Sequence, residues 1–315
     1  MRVAAFVQGF AYGRGRATTA LELITPLHTR RENGRQRPHQ VDVFVPSSRF
    51  VRHTPGVNVA TVGDFDGVYG YDVVIYNSGL GEATLDRIRR IRAPKLMCQH
   101  SYDTGDPGLR FADAVWYPSN ACMRVDRNTG YEKFVVPPPV NPGLYRTRPG
   151  RKIGLSLSSH WKGGAIVAQI ARALPRRRFL VVKDGRGNGV GLFKGLRNVE
   201  LVDFMEPRDF YSQCRIQLLP SQSESYGRVG VEGAVSGIPL VASRCPGIRE
   251  AMQGHGIYLP RNSVGRWVET VDGLMSDPGQ WKRASLDVAM RARVIDYEGD
   301  QARFCRMVEG VAGKA

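Results

Sequence analysis

The sequence predicts an α/β protein of two domains, each built on a parallel β-sheet that is flanked by helices. The chain has 315 residues, which is long for one ordinary domain and suits two of about 150 residues each. Short apolar runs alternate with helical stretches from one end of the chain to the other, and such alternation is typical of parallel sheets. Near the N-terminus, a strand-like run leads through glycines into a helix.

The first half opens with a predicted strand at 3–7, a loop that holds Gly13 and Gly15, and a helix over 17–31. Strand, glycine loop and helix in this order let main-chain amides approach a phosphate or a sugar closely. A third glycine is lacking, so the loop matches a dinucleotide-binding fingerprint only weakly. Further strands are predicted at 41–45, 57–62, 71–77 and 95–99.

A histidine follows the last of these strands. The strand carries His100 to the carboxyl edge of the predicted sheet, which is where open parallel sheets bind their ligands. The surrounding sequence, QHSYDTG, is polar. We therefore count His100 among the candidate functional residues.

The second half repeats the alternation after a polar linker at 141–152. Strands are predicted at 153–157, 179–183, 199–205, 216–219 and 240–242, and helices at 165–173, 209–214, 264–275, 278–293 and 300–311.

The stretch 220–250 organises this half. A polar loop follows the strand and contains Glu224, and a helix then starts at Tyr226–Gly227. Glu232 lies about two turns into that helix. Amides at a helix start are unpaired and favour anions. Free amides together with two carboxylates predict a site for a ligand that carries phosphates and hydroxyls.

Four pieces of this stretch occur in a familiar order: two glutamates with seven residues between them, ESYG at 224–227, GIPLVAS at 237–243 and PGIRE at 246–250. Together they resemble the signature of retaining glycosyltransferases of the GT-B fold, of the family-4 type (glycosyl transferases group 1). The resemblance is specific over about 150–256 and compatible with the sequence of 1–149.

The resemblance implies the GT-B fold, in which two Rossmann-like α/β domains face each other across a cleft. It assigns 1–149 to an N-terminal acceptor-side domain and 150–297 to a C-terminal domain that binds the nucleotide sugar. The segment 298–315 resembles the terminal helix that crosses back to the N-terminal domain in this fold.

Residue roles also follow from the resemblance. Lys162, in a Lys-Gly pair, is expected to contact the donor diphosphate, and Glu232 to accept hydrogen bonds from the ribose. His100 and Glu224 are expected to approach the sugar, so the expected catalytic residues are His100, Lys162 and Glu224. The residues expected to bind the donor are Gly13, Gly15, Lys162, Gly185, Met205, Glu224, Ser225, Tyr226, Gly227, Arg228 and Glu232.

One position departs from the family pattern. Members commonly have an arginine about five residues before the lysine, and Leu157 stands there in this chain. Arg228, Arg14 or Arg16 could supply the second cation, and the sequence does not choose among them.

The implied reaction is a retaining, metal-independent transfer of a sugar from a UDP- or GDP-sugar to an acceptor hydroxyl. No cofactor is expected, because no Asp-x-Asp pair or His/Asp cluster is placed to hold a divalent ion beside the diphosphate.

The acceptor is less determined than the donor. The formal charge of +16, from 45 Lys and Arg against 29 Asp and Glu, indicates an anionic partner. One interpretation is transfer to a hydroxylated base of DNA, with acceptor contacts from Arg14, Arg16, Arg35 and Arg37. Alternatives are a lipid at an anionic membrane, a protein, a polysaccharide, or an arginine-rich composition with no binding role. A further alternative is a GT-B-like module that binds nucleic acid and transfers nothing.

Composition predicts a cytoplasmic location. No apolar run approaches the ~18 residues that span a bilayer, and the N-terminal run lacks a small-residue cleavage site. Five scattered cysteines fit a reducing compartment. Any membrane contact is expected to be peripheral, at an anionic surface.

Overall fold

The computed structural model describes residues 1–8, 15–29, 31–32, 35–36, 39–46, 56–65, 67, 70–185 and 187–314, with the main chain alone described for 15–18, 31–32 and 35–36. Within these residues the chain divides into two compact units. The first unit consists of Met1–Pro139 together with Asp296–Ala315, and the second of Val140–Ile295.

The first boundary falls at 139/140 rather than at the predicted 149/150. The reason is that Val140 and Tyr145 are buried in the core of the second unit. The second boundary falls at 295/296, because the side chain of Asp296 accepts a hydrogen bond from the amide of Gly299 and thereby caps the terminal helix. That helix is grouped with the first unit.

The first unit contains a seven-stranded sheet in the order β5-β4-β1-β6-β7-β8-β9, and every pair in it is parallel. A two-stranded antiparallel ladder, β2 with β3, is separate from it. The strands are β1 (Arg2–Phe6), β2 (Arg31–Glu32), β3 (Arg35–Gln36), β4 (Gln40–Val45), β5 (Asn58–Thr61), β6 (Val73–Asn77), β7 (Lys95–Cys98), β8 (Ala114–Tyr117) and β9 (Glu132–Val135).

Helices cover both faces of this sheet, since apolar clusters lie on each side of the strands. On one face, the terminal helix contributes Phe304, Val308 and Val311 to a core shared with β1 and β6. The α-helices of this unit are α1 (Gly15–His28), α2 (Glu82–Arg90), α3 (Asn120–Met123) and α11 (Tyr297–Ala312).

The second unit contains a six-stranded sheet in the order β12-β11-β10-β13-β14-β15, again with all pairs parallel. Its strands are β10 (Lys152–Leu155), β11 (Phe179–Val182), β12 (Val199–Val202), β13 (Cys214–Leu219), β14 (Leu240–Ser243) and β15 (Ile257–Leu259). Its helices are α4 (Pro142–Tyr145), α5 (Gly164–Ala173), α6 (Pro207–Gln213), α7 (Arg228–Ala234), α8 (Pro246–Ala251), α9 (Val264–Ser276) and α10 (Pro278–Arg293).

Apolar clusters again cover both faces of the sheet, as expected for parallel strands with crossover helices. The predicted α/β class is thereby confirmed. In the parts of the chain that the structure describes, no helix is long and apolar enough to cross a bilayer.

Candidate functional site

The site begins at the turn between β10 and α5. Lys162 and Gly163 close a tight turn in which their amides donate to the carbonyl oxygens of Ser159 and His160, at 3.1 and 3.0 Å. Gly163 has φ +84°, and a Cβ built there would lie 2.4 Å from the carbonyl oxygen of Pro220. Both facts require glycine, so the Lys-Gly pair allows this turn to lie directly against the loop after β13.

The loop after β13 brings Glu224 to Lys162. The Nζ of Lys162 lies 2.6 Å from Oε1 of Glu224, and the hydroxyl of Ser221 donates to the same oxygen at 2.8 Å. The side chains are 32% and 13% exposed, so this is a half-buried ion pair with one face open to solvent. The amide of Gln222 also donates to the carbonyl of Trp161, at 2.8 Å. Two expected catalytic residues, Lys162 and Glu224, thus contact each other directly.

Helix α7 starts where the sequence predicts. Gly227 is its N-cap residue with φ +82°, and a Cβ there would lie 2.8 Å from Cγ1 of Ile248. Ser225 is half-buried in the loop before it, whereas Tyr226 is buried. The hydroxyl of Tyr226 lies 3.5 Å from a terminal nitrogen of Arg291.

Glu232 is held by a buried network. The Nε of Arg228 donates to Oε1 of Glu232 at 2.7 Å, and the hydroxyl of Tyr211 donates to Oε2 at 3.0 Å. A terminal nitrogen of Arg228 donates to the hydroxyl of Tyr145 at 2.9 Å. The side chains of Arg228 and Glu232 are only 7% and 10% exposed. Burial and then the neighbouring carboxylate raise the pKa of Tyr211 well above its ordinary value, so its hydroxyl stays a donor.

This network answers part of the question about the second cation. The guanidinium of Arg228 is bonded to Glu232 and Tyr145 inside the unit. It neutralises the carboxylate that the resemblance assigns to the ribose. The sequence carried a signal for the ion pair, because the two residues are four apart on one helix. It carried none for Tyr145 or Tyr211, which reach the pair from α4 and α6.

His100 lies in the first unit, just beyond β7. Its amide donates to the hydroxyl of Ser78 at 3.2 Å, and its Nε2 lies 3.4 Å from Oδ1 of Asn77. The imidazole meets the ring of Trp116 edge-on, with centroids 5.2 Å apart. The residue is therefore fixed at the carboxyl edge of the first sheet, next to the end of β6. Its contact with a donor sugar stays a prediction.

Both the sequence of this region and the fold of the chain are similar to those of known proteins. Residues 157–277 match the family model described as glycosyl transferases group 1. A structure of Anabaena Alr3699/HepE in complex with UDP-glucose superposes with a TM-score of 0.76 at 16% identity, covering 98% of this chain and 99% of that one. The fold is GT-B, and residues 157–277 are similar to the group 1 glycosyl transferases. The sucrose-phosphate synthase of Thermosynechococcus elongatus also superposes with a TM-score of 0.76, at 14% identity and with 100% of both chains covered.

Curated relatives match a smaller part of this GT-B chain. A D-inositol 3-phosphate glycosyltransferase of Mycobacterium sp. (strain KMS) is 31% identical over 144 residues, which are 41% of this chain and 33% of the relative. The enzyme of the same description from Segniliparus rotundus is 29% identical over 178 residues, or 46% and 39%. The chain thus spans about a third of the length of the curated relatives it matches. The resemblance predicted from the motifs in 220–250 is confirmed by the family model.

Other expected donor residues lie at the carboxyl edge of the second GT-B sheet. Gly185 is exposed in the turn after β11, where the hydroxyl of Ser158 accepts a hydrogen bond from the amide of Asp184 at 3.0 Å. Met205 follows β12 and packs half-buried against the core. Both positions share an edge with Lys162 and Glu224, and their contact with a donor stays a prediction.

The residues expected around the N-terminal loop of the first GT-B unit are less fully described. Gly13, Arg14 and Arg37 lie outside the described residues. Gly15 begins α1, Arg16 follows it, and Arg35 lies in β3, each with its main chain alone described. Among the residues that the structure does describe, no three His, Cys, Asp or Glu side chains are grouped to hold a metal ion.

Proposed function

We propose that this chain is a glycosyltransferase that moves a sugar from a nucleotide-diphosphate sugar to an acceptor hydroxyl, with retention of configuration and without a metal ion. The observation that carries the proposal is the Lys162–Glu224 pair. It joins two loops at the carboxyl edge of the second sheet, inside the region that matches the group 1 family.

The pair suits a donor diphosphate beside a sugar. Lys162 has one partner carboxylate and an open face, so a diphosphate can approach its ammonium group and share it. In the transfer, the bond between the anomeric carbon and the diphosphate oxygen breaks, and negative charge grows on that oxygen. A fixed cation stabilises such charge most strongly where it develops. Glu224 would then remain beside the sugar ring, as the resemblance implies.

Retention fits a front-side route in which the leaving diphosphate oxygen takes the acceptor's proton while the new carbon–oxygen bond forms on the same face. The acceptor loses a proton, the nucleotide diphosphate gains one, and no external oxidant or base is required. His100, fixed by Asn77 and Ser78, would contact the sugar. The UDP-glucose bound to Alr3699/HepE makes UDP-sugars the first donors to try, with GDP-sugars second.

For the acceptor we propose an anionic molecule, with a hydroxylated DNA base as the leading candidate because of the net charge of +16. The relatives named for inositol 3-phosphate favour an anionic acceptor of another kind. Lipids at an anionic membrane, proteins and polysaccharides remain candidates. We also propose a cytoplasmic location, since the five cysteines are free thiols, all of them buried.

The test is release of nucleotide diphosphate from UDP-glucose and GDP-mannose, with hydroxymethylated DNA, inositol phosphate, lipid vesicles and protein offered in turn. Sugar appearing on one acceptor supports the proposal, and Lys162→Ala should strongly reduce the rate at which it appears. Binding to duplex DNA should also weaken with salt at a log–log slope of about −0.9 per phosphate contacted. The double change Arg35→Glu, Arg37→Glu should reduce that slope but leave nucleotide binding intact. If no nucleotide diphosphate is released from either donor with any of these acceptors, the proposed activity is refuted.

A further inference from the structure

We infer that Arg261 supplies the second cation for the donor diphosphate, an inference that rests on the proposed glycosyl transfer. The family's usual arginine is missing at Leu157, and Arg228 is turned inward to Glu232. If Lys162 were the only cation at the site, a bound diphosphate would compete with Glu224 for its ammonium group. The structure offers another arginine at the same edge of the second sheet.

Arg261 lies two residues beyond β15. Its Nε donates to the carbonyl oxygen of Pro220 at 2.9 Å. That same oxygen lies against Gly163, where a Cβ would come within 2.4 Å of it. One carbonyl therefore touches both the Lys162–Gly163 turn and the arginine. Arg261 is anchored beside the ion pair from a different strand.

The remaining donors of Arg261 are available. A guanidinium carries five N–H donors, and the Nε–H alone is used on Pro220. Across the described residues, the two terminal nitrogens of Arg261 make no hydrogen bond or ion pair. The residue is half-buried, so a modest part of its surface remains for a ligand. By contrast, Arg291 is buried and bonds the carbonyl of Ala251 and the hydroxyl of Tyr226.

The charge of Arg261 also acts on the buried thiol of Cys245. Burial is the main cause that raises the pKa of the Cys245 thiol; the hydrogen bond with Ser243 lowers it, the charge of Glu224 raises it and the charge of Arg261 lowers it. The sulfur of Cys245 lies 3.3 Å from the carbonyl oxygen of Ser221, which adjoins Pro220. The charges of Arg261 and Glu224, from the segments after β15 and β13, therefore both act on this one thiol.

Lys162, Arg261 and Glu224 together carry a net positive charge. Such a balance suits a diphosphate, because one anionic oxygen can contact Lys162 while another accepts a pair of hydrogen bonds from the terminal nitrogens of Arg261. A guanidinium anchored through Nε keeps its two terminal nitrogens side by side for this purpose. The arginine would stabilise the leaving group together with Lys162.

The experiment compares binding of UDP and UMP, and of GDP and GMP, by calorimetry. Arg261→Gln should weaken binding of the diphosphate by about ten- to a hundredfold, the range for a charged hydrogen bond. The same change should weaken binding of the monophosphate much less, so the ratio of diphosphate affinity to monophosphate affinity falls. Arg261→Lys should retain part of the ratio. Arg266→Gln, an exposed arginine of α9, is the matched control and should leave it unchanged.

The outcomes separate the two proposals. If the parent protein binds neither UDP nor GDP, the proposed function fails. If the parent binds and Arg261→Gln keeps the diphosphate-to-monophosphate ratio of Arg266→Gln, the assignment of Arg261 is overturned. An equal loss for both ligands would likewise overturn it, because the residue would then support the loop rather than the diphosphate. Circular dichroism melts of each variant verify that it is folded.

Discussion

Replacing Arg228 by Met removes one charge from a buried pair and leaves the other in place. The carboxylate of Glu232, 10% exposed, loses the 2.7 Å bond to Nε of Arg228 and retains the 3.0 Å bond from Tyr211. Breaking a buried pair in this way lowers the free energy of unfolding by about 3–5 kcal/mol, mostly because one charge stays buried without a partner. For a unit of this size we expect the unfolding temperature to drop by roughly 6–20 °C.

Scanning calorimetry of the full chain measures this shift. The double change Arg228→Met, Glu232→Leu should recover most of the loss, because it leaves no buried charge behind. The exposed pair of Lys183 and Asp203, whose carboxylate is 88% exposed, is the control, and Lys183→Met should have little effect on stability. A single variant as stable as the parent would refute the reasoning. So would a double variant no more stable than the single one, since the cost would then arise from packing.

The remaining predictions concern the chemistry of the site. Lys162→Ala should raise the activation free energy of transfer by about 2–4 kcal/mol, while the affinity for nucleoside monophosphate changes little. Equal losses in steady-state rate and in calorimetric affinity would show that Lys162 is a binding residue only. Nucleotide release should persist in excess chelator, and an activity that vanishes with chelator and returns with Mg²⁺ or Mn²⁺ would contradict the metal-free route. The five cysteines are buried, and burial raises the pKa of Cys245, which keeps its thiol neutral at pH 8. Ellman's reagent should therefore titrate fewer than one thiol in the native protein and all five in denaturant; rapid reaction of the native protein would contradict the burial.

Much of the fold could be predicted because strand alternation is a local property. Apolar runs such as 71–77 and 179–183 are read from neighbouring residues, and both became parallel strands. The ladder of β2 and β3 was missed, since two-residue strands have no periodicity to detect. The strand predicted over 199–205 ends at Val202, where the chain turns toward the proline that opens α6.

The site was predicted less completely, because its contacts join distant parts of the chain. The motifs identified Lys162 and Glu224, but no local pattern shows that they meet across 62 residues. Tyr145 and Tyr211 are ordinary core aromatics in the sequence, and only tertiary packing brings them to Arg228. Arg261 is one of many arginines in a basic chain, and its bond to Pro220 depends on the order of strands in the sheet.

The return of α11 to the first unit has a consequence for synthesis of the chain. The first unit lacks part of its core until Phe304, Val308 and Val311 of α11 have been made, because these side chains fill the cluster against β1 and β6. All residues of the second unit, 140–295, leave the ribosome before them. The first unit is therefore the first to be synthesised in part and the last to have a complete core. A nascent chain arrested after residue 295 would display a complete second sheet and an open apolar face on the first, the kind of surface that chaperones bind.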